Sequence, residues 1–385
     1  MQPPDYSGNC IVNLVQSVAT ACGNRTPRYP ELAVLPAERL ANARHIVLLV
    51  IDGLGANALA RLPATSCLRE HQCATLQSVF PSTTASAIPT FMSGLAPAQH
   101  GLTGWHMYFH EIDQTLAILP LAARAEPAGK SPEDLARELC TYPTLFQHLD
   151  RECTVLAPQS IANSAFNAWH SRGATTMAYA TVREMFGQMA ALLKNDQRSR
   201  YLYAYYPDLD TLVHRFGTDS PQAKRALALF DEEFAECVTA LHGSDSWLLV
   251  TADHGFIDSP RERLVSLDNH PQLAALLERP LCGERRVAYC YVGEENRPAF
   301  AAYVRRNLGH CADLRASADL IAAGWFGPPP AHARLAARAG DYTLVMKDHW
   351  TITDWLPGEK RHKLLGVHGG ISADEMRVPL IALKV

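Results

Sequence analysis

Residues 45–51 read HIVLLVI and end on Asp52-Gly53. A continuous apolar, β-branched run with no polar alternation leaves no face for water, so it reads as a buried strand of a parallel sheet. Three further runs have the same character: Thr154–Leu156, Tyr201–Tyr206 (YLYAYY) and Trp247–Thr251 (WLLVT). Between them, Pro132–Leu139, Thr181–Leu193 and Gln222–Leu241 repeat apolar residues at three- and four-residue spacing, the helical period. Strands alternating with helices predict a layered α/β fold.

Two stretches interrupt this rhythm. Residues 105–135 hold aromatics followed by LPLAARAEPAGKSP, a loop-like composition. Residues 258–345 include Glu278–Arg286, the Gly324–Pro330 segment GWFGPPP and an Ala/Arg-rich helix near 331–339. Such an insertion is expected to form a lid or cap over the carboxyl edges of the strands, where α/β sheets bind ligands. The whole chain, residues 1–385, is then expected to be a single catalytic domain with 258–345 inserted in it.

Composition narrows the function. Lys and Arg total 35 against 39 Asp and Glu, a net charge of −4, so no positive excess exists to coat a nucleic acid or an anionic membrane. At 48 % hydrophobic and 19 % charged, the chain is too apolar for disorder. Ten cysteines are scattered with no CxxC pair, as expected of buried thiols in a reducing compartment. The amino terminus has no basic residue ahead of its apolar stretch, and nowhere do 18 apolar residues run together; the expected location is the cytoplasm, with no membrane partner.

The chemistry lies at the strand ends. Asp52 follows the first strand, Asp253 and His254 follow WLLVT in VTADHG, and YYPDLDTLVHRFG carries Asp208, Asp210 and His214 after the third run. LLGVHGG adds His368 near the carboxyl terminus. Carboxylates and imidazoles in these numbers can hold two divalent metals, and the donor set suits Zn²⁺ best, with Mn²⁺ the alternative. Asp210 and His214 are four residues apart, so on a helix they share a face and can reach one ion, whereas Asp208 points elsewhere. FPSTTASAIPTFMSG joins a Pro-Ser-Thr-Thr turn to a small-residue helix. Thr83 or Thr84 would sit at its amino end, where N–H groups and the dipole favour an anion. A hydroxyl there either caps the helix or binds a metal as alkoxide and attacks phosphorus.

Taken together these motifs resemble the alkaline phosphatase superfamily, and within it the type I phosphodiesterase/nucleotide pyrophosphatase group, over residues 45–110, 200–256 and 362–384. The resemblance implies a three-layer α/β/α sandwich around a mixed, mostly parallel sheet, with two zinc ions over its carboxyl end. It implies that Asp52, Asp253 and His254 hold one ion, that Asp210, His214 and His368 hold the other, and that a Thr or Ser nucleophile bridges them. In that superfamily the nucleophile lies ten residues before the glycine closing its helix. Counting back from Gly94 of Ser93-Gly94 gives Thr84, with Thr83 as the fallback. The implied reaction is hydrolysis of a small phosphorylated substrate through a phosphothreonine. HGLTGWHMY puts Trp105 where the nucleotide pyrophosphatases carry an Asn on a phosphate oxygen. Trp105 cannot make that contact, and with His106 and Tyr108 it becomes a candidate pocket residue. Phosphonoacetate hydrolases and phosphomonoesterases share the scaffold and remain alternatives, as does a catalytically silent phosphate-binding relative. Sulfatases are excluded because no Cys opens a C-x-P-x-R motif.

Overall fold

The computed structural model describes residues 2–125, 129–194 and 196–385. His45–Ile51 lies at the middle of a seven-stranded sheet with every residue buried. It pairs in parallel with Arg200–Tyr206 on one side and Ser246–Thr251 on the other. Glu152–Pro158 and Thr175–Tyr179 extend the parallel run beyond 200–206. On the opposite side Arg377–Lys384 lies antiparallel to both Ser246–Thr251 and Gln72–Gln77, making the sheet mixed but mostly parallel.

Helices cover the sheet, as a strand buried on both faces requires. One group brings Ile11–Ala21 against Thr84–Ser93 and Ala37–Ala41; another packs Val182–Leu193 and Asp208–Phe216 on Pro221–Ala240. Pro132–Leu139 forms over its expected bounds, started by Ser131, whose hydroxyl accepts the Asp134 N–H. Thr181 caps the following helix instead of beginning it, accepting the Glu184 N–H.

A second seven-stranded sheet is entirely antiparallel, in the order 312–316, 342–346, 287–290, 282–283, 106–109, 114–117 and 122–123. Residues 105–135 are therefore not the loop expected from composition: up to 123 they supply three strands, and Pro132–Leu139 ends them. Glu126, Pro127 and Ala128 of that stretch lie outside the described residues. Gly283 pairs with His106 and so joins the segments 105–135 and 258–345 in one sheet. The Ala/Arg-rich helix is short, Leu335–Ala339. The hairpin between Cys282–Gly283 and Val287–Cys290 turns at Glu284, Arg285 and Arg286, and Glu284 N–H donates to Val287 C=O at 2.7 Å.

Candidate functional site

The carboxyl edge of the parallel strands collects the acidic and histidine side chains. Asp52 follows the central strand, and Gly53 behind it has φ +75°. A Cβ at Gly53 would lie 2.3 Å from the Phe256 ring, so only glycine lets the chain turn there and deliver Asp52. Asp253 Oδ1 accepts the N–H groups of Gly53 and His254, each at 3.0 Å, tying the two strand ends together. The helix Asp208–Phe216 puts Asp210 and His214 on one face, with His214 Nε2 3.4 Å from Asp210 Oδ1. Asp208 is exposed and takes no part. His368 arrives on a two-residue ribbon, Gly366–Val367 against Ile257–Asp258. Its Nε2 is 3.2 Å from His214 Nε2 and 3.8 Å from Asp210 Oδ1.

All three imidazoles are oriented alike. Nδ1 of His214 faces Gly366 C=O at 2.8 Å, Nδ1 of His254 faces Gly255 C=O at 3.1 Å, and Nδ1 of His368 faces Ser82 C=O at 3.3 Å. A carbonyl only accepts, so Nδ1 carries the proton of each neutral ring and Nε2 presents its lone pair to the cluster. Burial, then His254 and His214, hold His368 well below the usual imidazole range, keeping it neutral.

This donor set fits divalent cations. Donor atoms of Asp52, Asp253 and His254 lie within 4.8 Å of one another, as do those of Asp210, His254 and His368, so His254 joins two abutting groups. Among the described residues Asp210 Oδ1 and Asp253 Oδ2 are buried with no hydrogen-bond partner, an arrangement whose cost a bound cation removes. Burial, together with Asp210 and Asp253, pushes the Asp52 carboxyl well above its usual range, and burial raises Asp210 as well. Crowded carboxylates without a compensating cation behave in this way.

Thr84 opens the helix Thr84–Ser93, and its Oγ1 is 3.2 Å from His254 Nε2 and 3.5 Å from Asp52 Oδ1. Thr83, one residue earlier, turns away and donates to Glu284 Oε1 at 2.7 Å. Gly94 closes the helix at φ +72°.

Above Thr84 opens a cavity of about 530 Å³ whose walls include Trp105, His106, Arg124, Arg285 and Trp355. Trp105 is 38 % exposed, on the rim rather than in a core. His106 lines the wall, and burial, with Arg124 as the largest charge acting on it, pushes its imidazole down to about 3. Tyr108 does not belong to the wall: it is buried beneath the Arg279 guanidinium, 3.6 Å from the ring centroid, and donates to Asp113 at 2.7 Å.

Four further residues border or support the site without being evident in the sequence. Tyr205, at the end of YLYAYY, donates to Asp52 Oδ2. Glu284 Oε1 accepts both the Thr83 hydroxyl and the Trp105 N–H, each at 2.7 Å, and burial lifts its carboxyl to about 7. Arg285 lies along the wall over Trp355, and among the described residues no carboxylate lies within 4 Å of its guanidinium. Arg286, 1 % exposed, forms a bidentate pair with Glu375, both contacts 3.0 Å. Glu375 also accepts the Gly370 N–H at 2.8 Å, so one buried pair anchors both the hairpin and the loop carrying His368. The available signal was a run of three charged residues, Glu284-Arg285-Arg286, between strands that are otherwise buried.

A mixed α/β sheet with Asp and His side chains at its carboxyl edge and a threonine heading the adjacent helix is the arrangement of the alkaline phosphatase superfamily. Within it, the chain belongs to the type I phosphodiesterase/nucleotide pyrophosphatase family, whose model matches residues 46–127 and 130–371. An uncharacterised pyrophosphatase/phosphodiesterase of Schizosaccharomyces pombe is 25 % identical over 264 residues, 62 % of this chain and 51 % of that protein. The chain thus spans about half the length of that curated relative. Human ectonucleotide pyrophosphatase/phosphodiesterase 5 superposes with a TM-score of 0.65 at 16 % identity, over 88 % of this chain and 87 % of that one. Its murine counterpart, solved as an inactive threonine-to-alanine variant in complex with AMP, gives 0.63 at 16 % over the same shares. Phosphonoacetate hydrolase from Sinorhizobium meliloti 1021, in complex with phosphonoformate, gives 0.64 at 17 %, over 88 % of this chain and 90 % of that one. At such identities these likenesses speak for the fold.

Proposed function

We propose that the protein is a metal-dependent hydrolase of phosphate esters, acting on diesters through a phosphorylated Thr84. One observation carries the reading: the Thr84 hydroxyl touches the Asp/His cluster at the base of the cavity, while that of Thr83 is engaged by Glu284. Asp52, Asp253 and His254 would hold one ion and Asp210, His214 and His368 a second; bound there, Zn²⁺ or Mn²⁺ would stabilise charge on the attacking and leaving oxygens. With the His254 Nε2 lone pair given to an ion, Asp52 Oδ1, 3.5 Å from Thr84 Oγ1, is the acceptor for the Thr84 O–H and leaves an oxygen lone pair toward the cavity. Thr84 Oγ1 forms the bond to phosphorus as the bond to the ester oxygen on the far side breaks, and the proton released from Oγ1 ends, through solvent, on the departing oxygen. Water then breaks the phosphothreonine bond, releasing the second product and restoring the hydroxyl. Support for a threonine in this role comes from the murine relative described as inactive with a threonine changed to alanine, and its AMP supports a small phosphorylated ligand. The ten unbridged cysteines support a reducing, cytoplasmic setting. Among the described residues no helix is long and apolar enough to cross a membrane.

Arg285, beside the cavity and without a carboxylate partner among the described residues, favours a second reading in which the leaving group is itself anionic, as in phosphonoacetate. Rates on bis-p-nitrophenyl phosphate, p-nitrophenyl phosphate and phosphonoacetate separate diesterase, monoesterase and phosphonatase. The diester is expected to be fastest, and turnover of phosphonoacetate alone would replace the first reading by the second. Elemental analysis should find about two zinc per chain. Metal-free protein that stays inactive on all three substrates with added Zn²⁺ or Mn²⁺ would sink the enzyme reading.

A further inference from the structure

The hairpin tip puts a carboxylate on the wall of the cavity above Thr84. Glu284 borders the same cavity as Asp52, Thr84, Asp210 and His368. Its side chain lies against the loop of His368, and a Cβ on Gly369 would be 2.8 Å from Glu284 Cβ. Both hydrogen bonds to Glu284, from Thr83 and from the Trp105 N–H, go to Oε1, and Oε2 has none among the described residues. No Lys, Arg or His nitrogen lies within 4.0 Å of this carboxylate among the described residues; Arg285 next to it runs out over Trp355, and Arg286 is committed to Glu375. Thr83, which Glu284 holds, is the immediate neighbour of Thr84.

We propose that Glu284 sets the charge selectivity of the site, admitting monoanionic phosphate diesters and disfavouring dianionic monoesters. The inference rests on the phosphoester reading above and gives it a substrate class. A diester carries one negative charge and a monoester carries close to two above neutral pH. The extra charge of the monoester meets the Glu284 carboxylate in a partly desolvated cavity, where one unit charge at a few ångström changes relative affinity about tenfold to a hundredfold. Glu284 is a specificity residue contributed by the antiparallel sheet, while the reacting hydroxyl belongs to the parallel one.

Glu284→Gln tests this, because the amide oxygen still accepts from Thr83 and Trp105 while the charge is gone. Assays are run at about pH 8.5, above the value near 7 that burial gives the Glu284 carboxyl. The ratio of kcat/KM for p-nitrophenyl phosphate to that for bis-p-nitrophenyl phosphate is expected to rise about tenfold or more over wild type. A purely structural role would lower both rates together, and an unchanged ratio would overturn the inference while leaving the hydrolase reading intact. A second readout is binding of the same two esters to Thr84→Ala protein with and without Glu284→Gln, measured calorimetrically. Tighter monoester binding only in the double variant supports the charge gate, and parallel changes for both esters overturn it. If wild type turns over neither ester, the hydrolase reading fails and the binding ratio alone decides the inference. Should the Gln form not fold, Glu284→Ser carries the same comparison.

Discussion

The two seven-stranded sheets were built by different means and do different work. In the parallel sheet the three central strands are nearly continuous buried runs, and each is followed closely by candidate site residues: Asp52 after His45–Ile51, Asp210 and His214 after Arg200–Tyr206, Asp253 and His254 after Ser246–Thr251. In the antiparallel sheet the strands are two to five residues long, come from two distant segments, and deliver function at a turn, Glu284-Arg285-Arg286. The difference teaches that the candidate cation ligands can be read as punctuation of long strands. The residues on the cavity wall, by contrast, depend on a sheet assembled across more than 150 positions of sequence, as in the pairing of His106 with Gly283.

The largest effect should come from the parallel side. Thr84→Ala is expected to lose roughly a thousandfold or more in kcat/KM, about 4 kcal/mol of barrier, while retaining bound metal by elemental analysis. Thr83→Ala should lose far less; equal losses would erase the distinction between the two hydroxyls.

The join between the sheets comes next. Arg286→Met strands Glu375 as a buried unpaired carboxylate and should cost about 3–5 kcal/mol, read as a lowered denaturation midpoint. Activity should fall with it, since the same pair steadies the His368 loop. A variant of full stability and activity would show that the antiparallel sheet is not coupled to the site. Gly53→Ala should follow, costing about 1–3 kcal/mol from its left-handed φ and the Phe256 contact, with weaker metal binding as Asp52 shifts.

The smallest effect is a pH dependence. Burial raises the Glu284 carboxyl in the folded protein from its ordinary 4.5 to about 7, so the folded state holds a proton that the unfolded state releases. Stability of metal-free protein therefore falls as pH rises through that window and levels off above it. Glu284→Gln should raise the melting temperature of metal-free protein at about pH 8 by about 1–3 °C, and at about pH 4.5 hardly at all. Equal shifts at both values would remove the buried carboxyl as the cause.

Legibility tracked local pattern. HIVLLVI is buried at all seven positions, and Pro132–Leu139 forms within the bounds its spacing suggests. Asp210 and His214 could be paired from a four-residue spacing because a helix enforces it. The strands His106–Phe109, Gln114–Ala117 and Ala122–Ala123 escaped because four, four and two residues are too few to show a period against their loop-like surroundings. Tyr108 read as a pocket residue beside Trp105 and His106, yet it is buried under Arg279, a partner distant in sequence. Glu284 and Arg286 look alike in sequence as charged residues; one faces a cavity and the other a buried carboxylate.

The sequence by itself determined the parallel α/β core, offered the Asp and His residues at the strand ends as candidate donors, and left Thr83 and Thr84 as the candidate hydroxyls at the helix start. Each follows from short-range rules, the burial of an apolar run and the spacing of side chains along one helix or one turn. Only the tertiary structure decided how those donors divide around His254, which threonine hydroxyl meets them, and that Glu284 stands over the cavity. These depend on distances between chain segments that share no local pattern, set by how two sheets and one buried Arg286–Glu375 pair pack together.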